Sequence, residues 1–302
     1  MGNSDELMLL VGDNPFHGIS HLSQERARAR SSEATTPEKA AELVMVSLEN
    51  GANGFMFSVS ETTLAILRKI REAGKIGELE LHAIVPYAFE YVRVATQTGT
   101  PGLVKRFAKQ IAVSGDIRTM GVGLGAVMKA DPKALLETYL SYELARIKSA
   151  AKHAKPASIL LHEVVTDMSL GLNLRWLFES YIKFISKRGI TPGFNTRNFP
   201  YLVKRFKEWN IDLAQMFIAT PFNKVGFQMN PSRDDCERTI KDLPDVSVCA
   251  ISILAAGYLK LNEAVDYLVN FPNIKGVSVG VSKERHAIDT FRFLRQRLSN
   301  SR

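Results

Sequence analysis

Short apolar runs alternate along this chain with longer segments whose apolar positions recur at helical spacing. Leu7-Met8-Leu9-Leu10-Val11 is the first run and ends at Gly12. Thr36 and Pro37 then open a helix, with Thr36 as N-cap and Pro37 at the first helical position. Ala40, Ala41, Val44 and Leu48 fall on one face of it, and Gly51 stops it. Phe55 to Val59 reads as a strand and Ser60 to Gly74 as a helix. Leu79 to Val85 is a strand ending at Pro86-Tyr87, and Met120 to Val127 reads as a glycine-rich strand. Helices are expected over 101–113, 132–154, 173–188 and 199–208, and strands over Ser158 to Val164 and Thr191 to Asn195. The remaining strands begin near Leu213, Val246 and Lys275.

This rhythm predicts a (β/α)8 TIM barrel, in which polar residues at strand C-termini carry the chemistry. The runs number one more than the eight that a barrel needs. Gly121-Val122-Gly123-Leu124-Gly125 and the first strand are the doubtful ones. A chain of 302 residues fits one barrel domain spanning 1–302, with a long loop at about 13–35. That loop exceeds the usual length of a strand–helix connection, so it is expected to act as a lid or a wall of the site.

Composition narrows the class. No run of about 18 apolar residues occurs, so no membrane span is expected. The polar start, Met1 to Glu6, does not read as a secretory signal. Two cysteines, Cys236 and Cys249, make neither a disulfide framework nor a zinc ribbon, and a reducing cytoplasm is the expected location. The formal charge of +8 is spread along helical segments rather than gathered in a stripe, so no nucleic-acid partner is expected. The expected partner is a small molecule.

Several polar residues are expected to converge at the strand C-termini. Asp13, Asn14 and His17 follow the first strand; Ser58, Glu61, Tyr87, Lys129, His162 and Glu163 follow later ones. Asn195, Arg197, Asn223, Lys224, Ser282 and Lys283 come from the last third. Asp-Asn-Pro is also ordinary turn chemistry, and a strand-end histidine is often a satisfied core group. Strand alternation would turn Glu163 away from His162. Two histidines and an aspartate suit general acid–base catalysis near neutral pH, with Asp13 orienting one imidazole. The same set could ligate a divalent metal, but the spacing matches no metal signature. A Schiff-base lysine at Lys129 or Lys224 is disfavoured, because a loop does not desolvate the amine. Gly280, Ser282, Lys283 and Arg285 form a glycine–serine–lysine turn at a helix start, where free backbone N–H groups suit a phosphate. In that reading Gly280 lets the anion approach the backbone, and Ser282 either contacts it or caps the helix.

From about 158 to 291 the chain resembles the aldo-keto reductases, a (β/α)8 family that uses NADP(H). Ile159-Leu160-Leu161-His162 resembles the strand that carries that family's catalytic histidine. Gly193-Phe194-Asn195-Thr196 resembles its Gly-x-Ser-Asn strand end, and Gln215 sits where its next strand places a glutamine. The resemblance implies that Asn195 and Gln215 hold a nicotinamide. Ala250 to Gly257 is similar to the Ala-Tyr-Ser-Pro-Leu-x-x-Gly segment, and Gly280 to Arg285 resembles the adenine-phosphate loop. The first half departs from the pattern. Val85-Pro86-Tyr87 stands where the family's catalytic lysine should end a strand, and of the catalytic set only His162 remains.

The sequence therefore points to an enzyme acting on a small, conceivably phosphorylated molecule by acid–base chemistry of the lyase or isomerase type, through His17, His162 and Asp13. Two alternatives stand beside it. One is an NADP(H)-dependent oxidoreductase with Tyr87 as a rearranged proton donor. The other is a non-catalytic ligand-binding barrel.

Overall fold

Eight parallel strands hydrogen-bond in sequence order and close on themselves, β8 pairing with β1. The structure is a computed structural model that describes residues 7–17, 36–86, 131–152, 154–243 and 245–299. The strands are β1 (Met8–Gly12), β2 (Gly54–Ser58), β3 (Glu80–Val85), β4 (Ser158–Leu161), β5 (Thr191–Asn195), β6 (Phe217–Pro221), β7 (Ser247–Ile251) and β8 (Ile274–Gly280). The outer helices are α1 (Pro37–Glu49), α2 (Glu61–Glu72), α3 (Pro132–Ala151), α4 (Glu163–Gly171), α5 (Arg175–Ser186), α6 (Phe199–Glu208), α7 (Arg233–Lys241), α8 (Leu261–Leu268) and α9 (Glu284–Ser299). The expected (β/α)8 barrel is what the chain forms. The first strand belongs to it, and the ring closes without the glycine-rich Gly121–Gly125 run, which lies outside the described residues together with the expected helix at 101–113.

Alternation along each strand sorts the core into two layers. Leu10, Met56, Ile84, Leu160, Phe217, Ala219 and Cys249 pack together inside the ring. Leu9, Val11, Phe55, Phe57, Ile159, Phe194, Ile218 and Val277 point out and join the helices in a larger apolar cluster. Strands buried on both faces read as continuous apolar runs, which is why the sequence pattern was strong. Close strand packing needs glycine at Gly193, where a Cβ would lie 2.8 Å from the Phe217 carbonyl oxygen and 2.8 Å from Leu160 Cγ.

Local signals set the helix ends. Thr36 Oγ1 accepts from Lys39 N at 3.2 Å, with Pro37 at the start of α1, as the sequence predicts. Ser60 and Thr63 form a reciprocal cap on α2. The boundaries correct two expectations. The strand expected over 158–164 stops at Leu161, and Glu163 begins α4 instead. The strand expected near Leu213 begins at Phe217, because Ala214 N donates to Asp212 Oδ1 at 2.9 Å and turns the chain first.

Candidate active site

The C-terminal ends of the strands form the mouth of the barrel, and β1 delivers the first part of the site. Directly after Gly12, Asp13 starts a short 3₁₀ turn over Asn14–His17. Asp13 is 5% exposed, and its Oδ2 accepts from His17 Nε2 at 3.0 Å and from Ser58 N at 2.6 Å. The carboxylate therefore ties the end of β2 to the turn and fixes the imidazole. Phe16 anchors the turn by packing against Phe55, ring centroids 6.2 Å apart. Pro15 lies over Gly280, where a Cβ would come within 2.7 Å of Pro15 Cδ.

That contact gives Gly280 a packing role: the absent side chain makes room for Pro15. The rest of that turn is open: Lys283 and Arg285 are exposed, and Arg285 lies 3.6 Å from Asp289 Oδ2. The Lys283 carbonyl accepts from Ala287 N at 3.0 Å, so Lys283, not Ser282, stands at the cap position of α9.

β4 and β5 supply the opposite side. Register pairs Leu161 with Phe194, which sets His162 beside Asn195 on the inward face, one step above Leu160 and Gly193. His162 is the N-cap of α4, and its Nδ1 accepts from Val164 N at 3.2 Å. This bond holds the neutral ring with its proton on Nε2. Burial pushes the His162 pKa below its ordinary value; Glu163, Asp13 and Asp167 pull against that, and Arg197 adds to it. The Asp13 carboxylate, at the end of β1, is among the charges that act on the His162 imidazole at the end of β4. Asn195 is 7% exposed, and its Oδ1 has no hydrogen-bond partner.

A charged cluster braces His162. Asp167 accepts from Thr196 Oγ1 at 2.5 Å and from Arg197 N at 3.0 Å, while the Arg197 guanidinium pairs with Glu163. Burial raises the Asp167 pKa despite these donors. Sequence reasoning took Glu163 to face away from His162 on a strand. It sits instead in the first turn of α4, bound to Arg197.

Other expected members lie elsewhere. Gln215 is exposed in the turn before β6, beside Thr191 and Ser247 at the N-terminal floor of the barrel. The pairing of Asn195 and Gln215 on one nicotinamide is thus corrected, since the two stand at opposite ends of the ring. Glu61 pairs with Arg146 at 3.1 Å on the helical layer. Asn223 is fully buried and braces its own loop, accepting from Phe227 N at 2.8 Å and donating to the Phe227 carbonyl at 2.9 Å. Tyr87, Lys129 and the loop 18–35 lie outside the described residues. No group of three or more His, Cys, Asp or Glu among the described residues is arranged to hold a metal ion. Both cysteines are buried, with thiol pKa values raised by burial, and neither is poised as a nucleophile.

One inward histidine went unassigned in the sequence. His82 lies at the floor, 3% exposed, with Nδ1 2.8 Å from Ser158 Oγ and its ring stacked on Phe217 at 4.7 Å. Its Nε2 faces Glu80 Oε2 at 3.7 Å, beyond hydrogen-bonding reach. The available signal was parity: His82 is two residues before inward Ile84.

Solved structures share this architecture. A protein from Pseudomonas aeruginosa, provisionally named an aldo-keto reductase, matches with a TM-score of 0.60 at 10% identity, over 96% of this chain and 90% of its own. The shared feature is the eight-stranded (β/α)8 barrel. The likeness reaches well beyond the second half, where the sequence motifs stop. A protein from Anabaena variabilis, provisionally named a sugar phosphate isomerase/epimerase, matches with a TM-score of 0.52 at 8% identity, over 98% of this chain and 99% of its own. The D-allulose 3-epimerase from Methylomonas sp. matches with a TM-score of 0.50 at 10% identity, over 99% and 100%. No protein-family model matches the sequence, and no curated protein does. At these identities the shared feature is the fold, and function must be argued from the site. Among the described residues no helix is long and apolar enough to cross a membrane.

Proposed function

We propose that the barrel is an enzyme of the lyase or isomerase type, moving a proton on a small molecule that carries a carbonyl and hydroxyl groups. The observation that carries this reading is the buried Asp13–His17 pair at 3.0 Å after β1, with a second imidazole, His162, after β4 at the same end of the ring. A proton shift next to a carbonyl needs a base at carbon and a donor at oxygen. His162, neutral with its proton on Nε2, suits the donor that polarises the oxygen. His17, oriented by Asp13, suits the base, and Asp13 stabilises the imidazolium that forms. Return of the proton to the adjacent carbon, with a proton passing between the two oxygens, gives isomerisation; return to the same carbon on the opposite face gives epimerisation.

Support for an oxidoreductase is weaker, because Gln215 stands at the floor, away from Asn195. Proton exchange separates the two. The protein is incubated in D₂O with pentoses, hexoses, their ketose isomers and the corresponding phosphates, and deuterium entry next to the carbonyl is followed by NMR. Exchange that disappears in both His17→Gln and His162→Gln supports the proposal. Absence of exchange across the set, together with enhanced fluorescence of NADPH on mixing, would overturn it in favour of hydride transfer.

A further inference from the structure

The Asn195 amide is the polar group that the fold leaves most conspicuously unmet at the mouth. Its side chain is more than nine-tenths buried and points inward, by register with His162 and by parity with Gly193, yet Oδ1 accepts no hydrogen bond. A buried acceptor without a donor is costly, and native folds rarely leave one unless a ligand or water supplies the donor. Ser58 and Ser278 share the inward face: Ser58 follows Met56 by two residues, and Ser278 is in register with Leu10. Ser278 Oγ lies 3.2 Å from where a Cβ on Gly12 would stand. One unmet amide and two hydroxyls thus share the inward face of the ring towards the strand ends from which His17 and His162 follow. Such a lining matches a molecule with several hydroxyl groups.

Charge separates a neutral ligand from an anionic one. The groups acting on His162 are three carboxylates, Asp13, Glu163 and Asp167, and one guanidinium, Arg197. Arg197 is already engaged by Glu163, and its backbone N–H by Asp167. The cations of the last turn, Lys283 and Arg285, are exposed. Among the described residues, a phosphate beside His162 would meet more negative charge than positive. We infer that the site selects an uncharged polyhydroxylated substrate, a free sugar or polyol, one hydroxyl of which donates to Asn195 Oδ1. This rests on the proposed function only in using the same mouth, because it concerns binding rather than turnover.

The test uses binding of xylitol and D-glucitol, which have no carbonyl and cannot be isomerised, beside D-fructose, D-fructose 6-phosphate and inorganic phosphate. Affinities are read by titration calorimetry, with saturation-transfer NMR for weak binders. The parent should bind a polyol or the free ketose, and the phosphate ester no better than its parent sugar. Asn195→Leu, which removes the acceptor at similar volume, should weaken that binding by about tenfold or more, the scale of one hydrogen bond lost in a buried site. Asn195→Asp, which keeps an acceptor, should stay nearer the parent. Should the leucine variant not fold, Asn195→Ser is read in its place. The inference is overturned if no polyol or sugar binds, if Asn195→Leu binds as the parent does, or if the phosphate ester binds tenfold tighter than the sugar. Polyol binding that survives in His17→Gln, with proton exchange never seen in any protein, would leave this inference standing while removing the acid–base reading.

Discussion

The barrel holds inward histidines at both ends, and the two ends treat them differently. At the floor, His82 is closed in: Phe217 stacks on it, Ser158 takes one nitrogen, and Glu80 lies near the other. At the mouth, His162 has one nitrogen committed to the backbone of α4, and His17 has one committed to Asp13. The lesson is that a histidine inside a barrel means little by residue type. His82 Nε2 is itself buried without a hydrogen-bond partner, so what separates the two ends is the stacked aromatic ring at the floor against the carboxylates and the unmet amide oxygen at the mouth.

The sharpest way to break this contrast is to disable one end and watch the other. Asp13→Asn removes the charge that orients His17 while keeping its shape. It should lower proton exchange by about 10²–10⁴-fold, the usual contribution of a positioned acid or base, with little change in thermal midpoint. The floor should respond the other way. His82→Ala leaves Ser158 unpartnered and Phe217 without its stacked neighbour. It should cost about 1–3 kcal/mol of stability in urea unfolding and leave exchange rates within about twofold. An exchange defect in the floor variant as large as that of Asp13→Asn would erase the distinction.

Gly280→Ala probes the joint between the regions. Its new methyl would press on Pro15 at 2.7 Å and push the turn carrying His17. We expect about 1–2 kcal/mol of destabilisation from overpacking, with proton exchange falling alongside. A variant with normal exchange would show that the turn can shift without consequence.

A smaller effect should appear against pH. Burial lowers the His162 pKa from its ordinary 6.5, so the unfolded chain binds that proton more readily than the folded one. Its contribution to stability is therefore present above pH 6.5 and is lost as pH falls from there through the lowered folded value. His162→Gln should flatten this part of the stability profile, and His82→Ala should not remove it. The smallest effect is expected from Lys283→Ala combined with Arg285→Ala. Exposed charges are screened, so binding of free sugars should change by less than about twofold.

The barrel itself was legible because its strands are buried on both faces and its helices carry clear starts and stops, as at Thr36-Pro37. The mouth was partly legible. Asp13 and His17 stood out as polar residues after a strand, and register now shows them joined. His162 and Asn195 were recognisable from the order of motifs along the chain. What failed has a common cause. Glu163-Val164-Val165 looks like more strand, and so does Leu213-Ala214-Gln215-Met216, because apolar continuity hides the residue at which backbone direction changes. In the first case the change is an imidazole cap on α4, and in the second an aspartate turn at Asp212. Composition cannot reveal either, since both depend on a side chain bonding to the backbone two residues on. His82 was overlooked for a different reason: in a continuously buried strand, a polar residue facing inward leaves the apolar run unbroken.

The closing of β8 on β1 has a practical consequence. Asp13 and His17 sit at that junction, while His162 and Asn195 straddle the boundary between β4 and β5, midway round the ring. A chain divided after α5 would give two half-rings, one carrying both histidines and the other carrying Asn195 and the Gly280 seat for Pro15. Neither piece alone would own a complete pocket. If the mouth binds a sugar or polyol as proposed, recovery of that binding on mixing the two pieces would report on their reassembly into one ring.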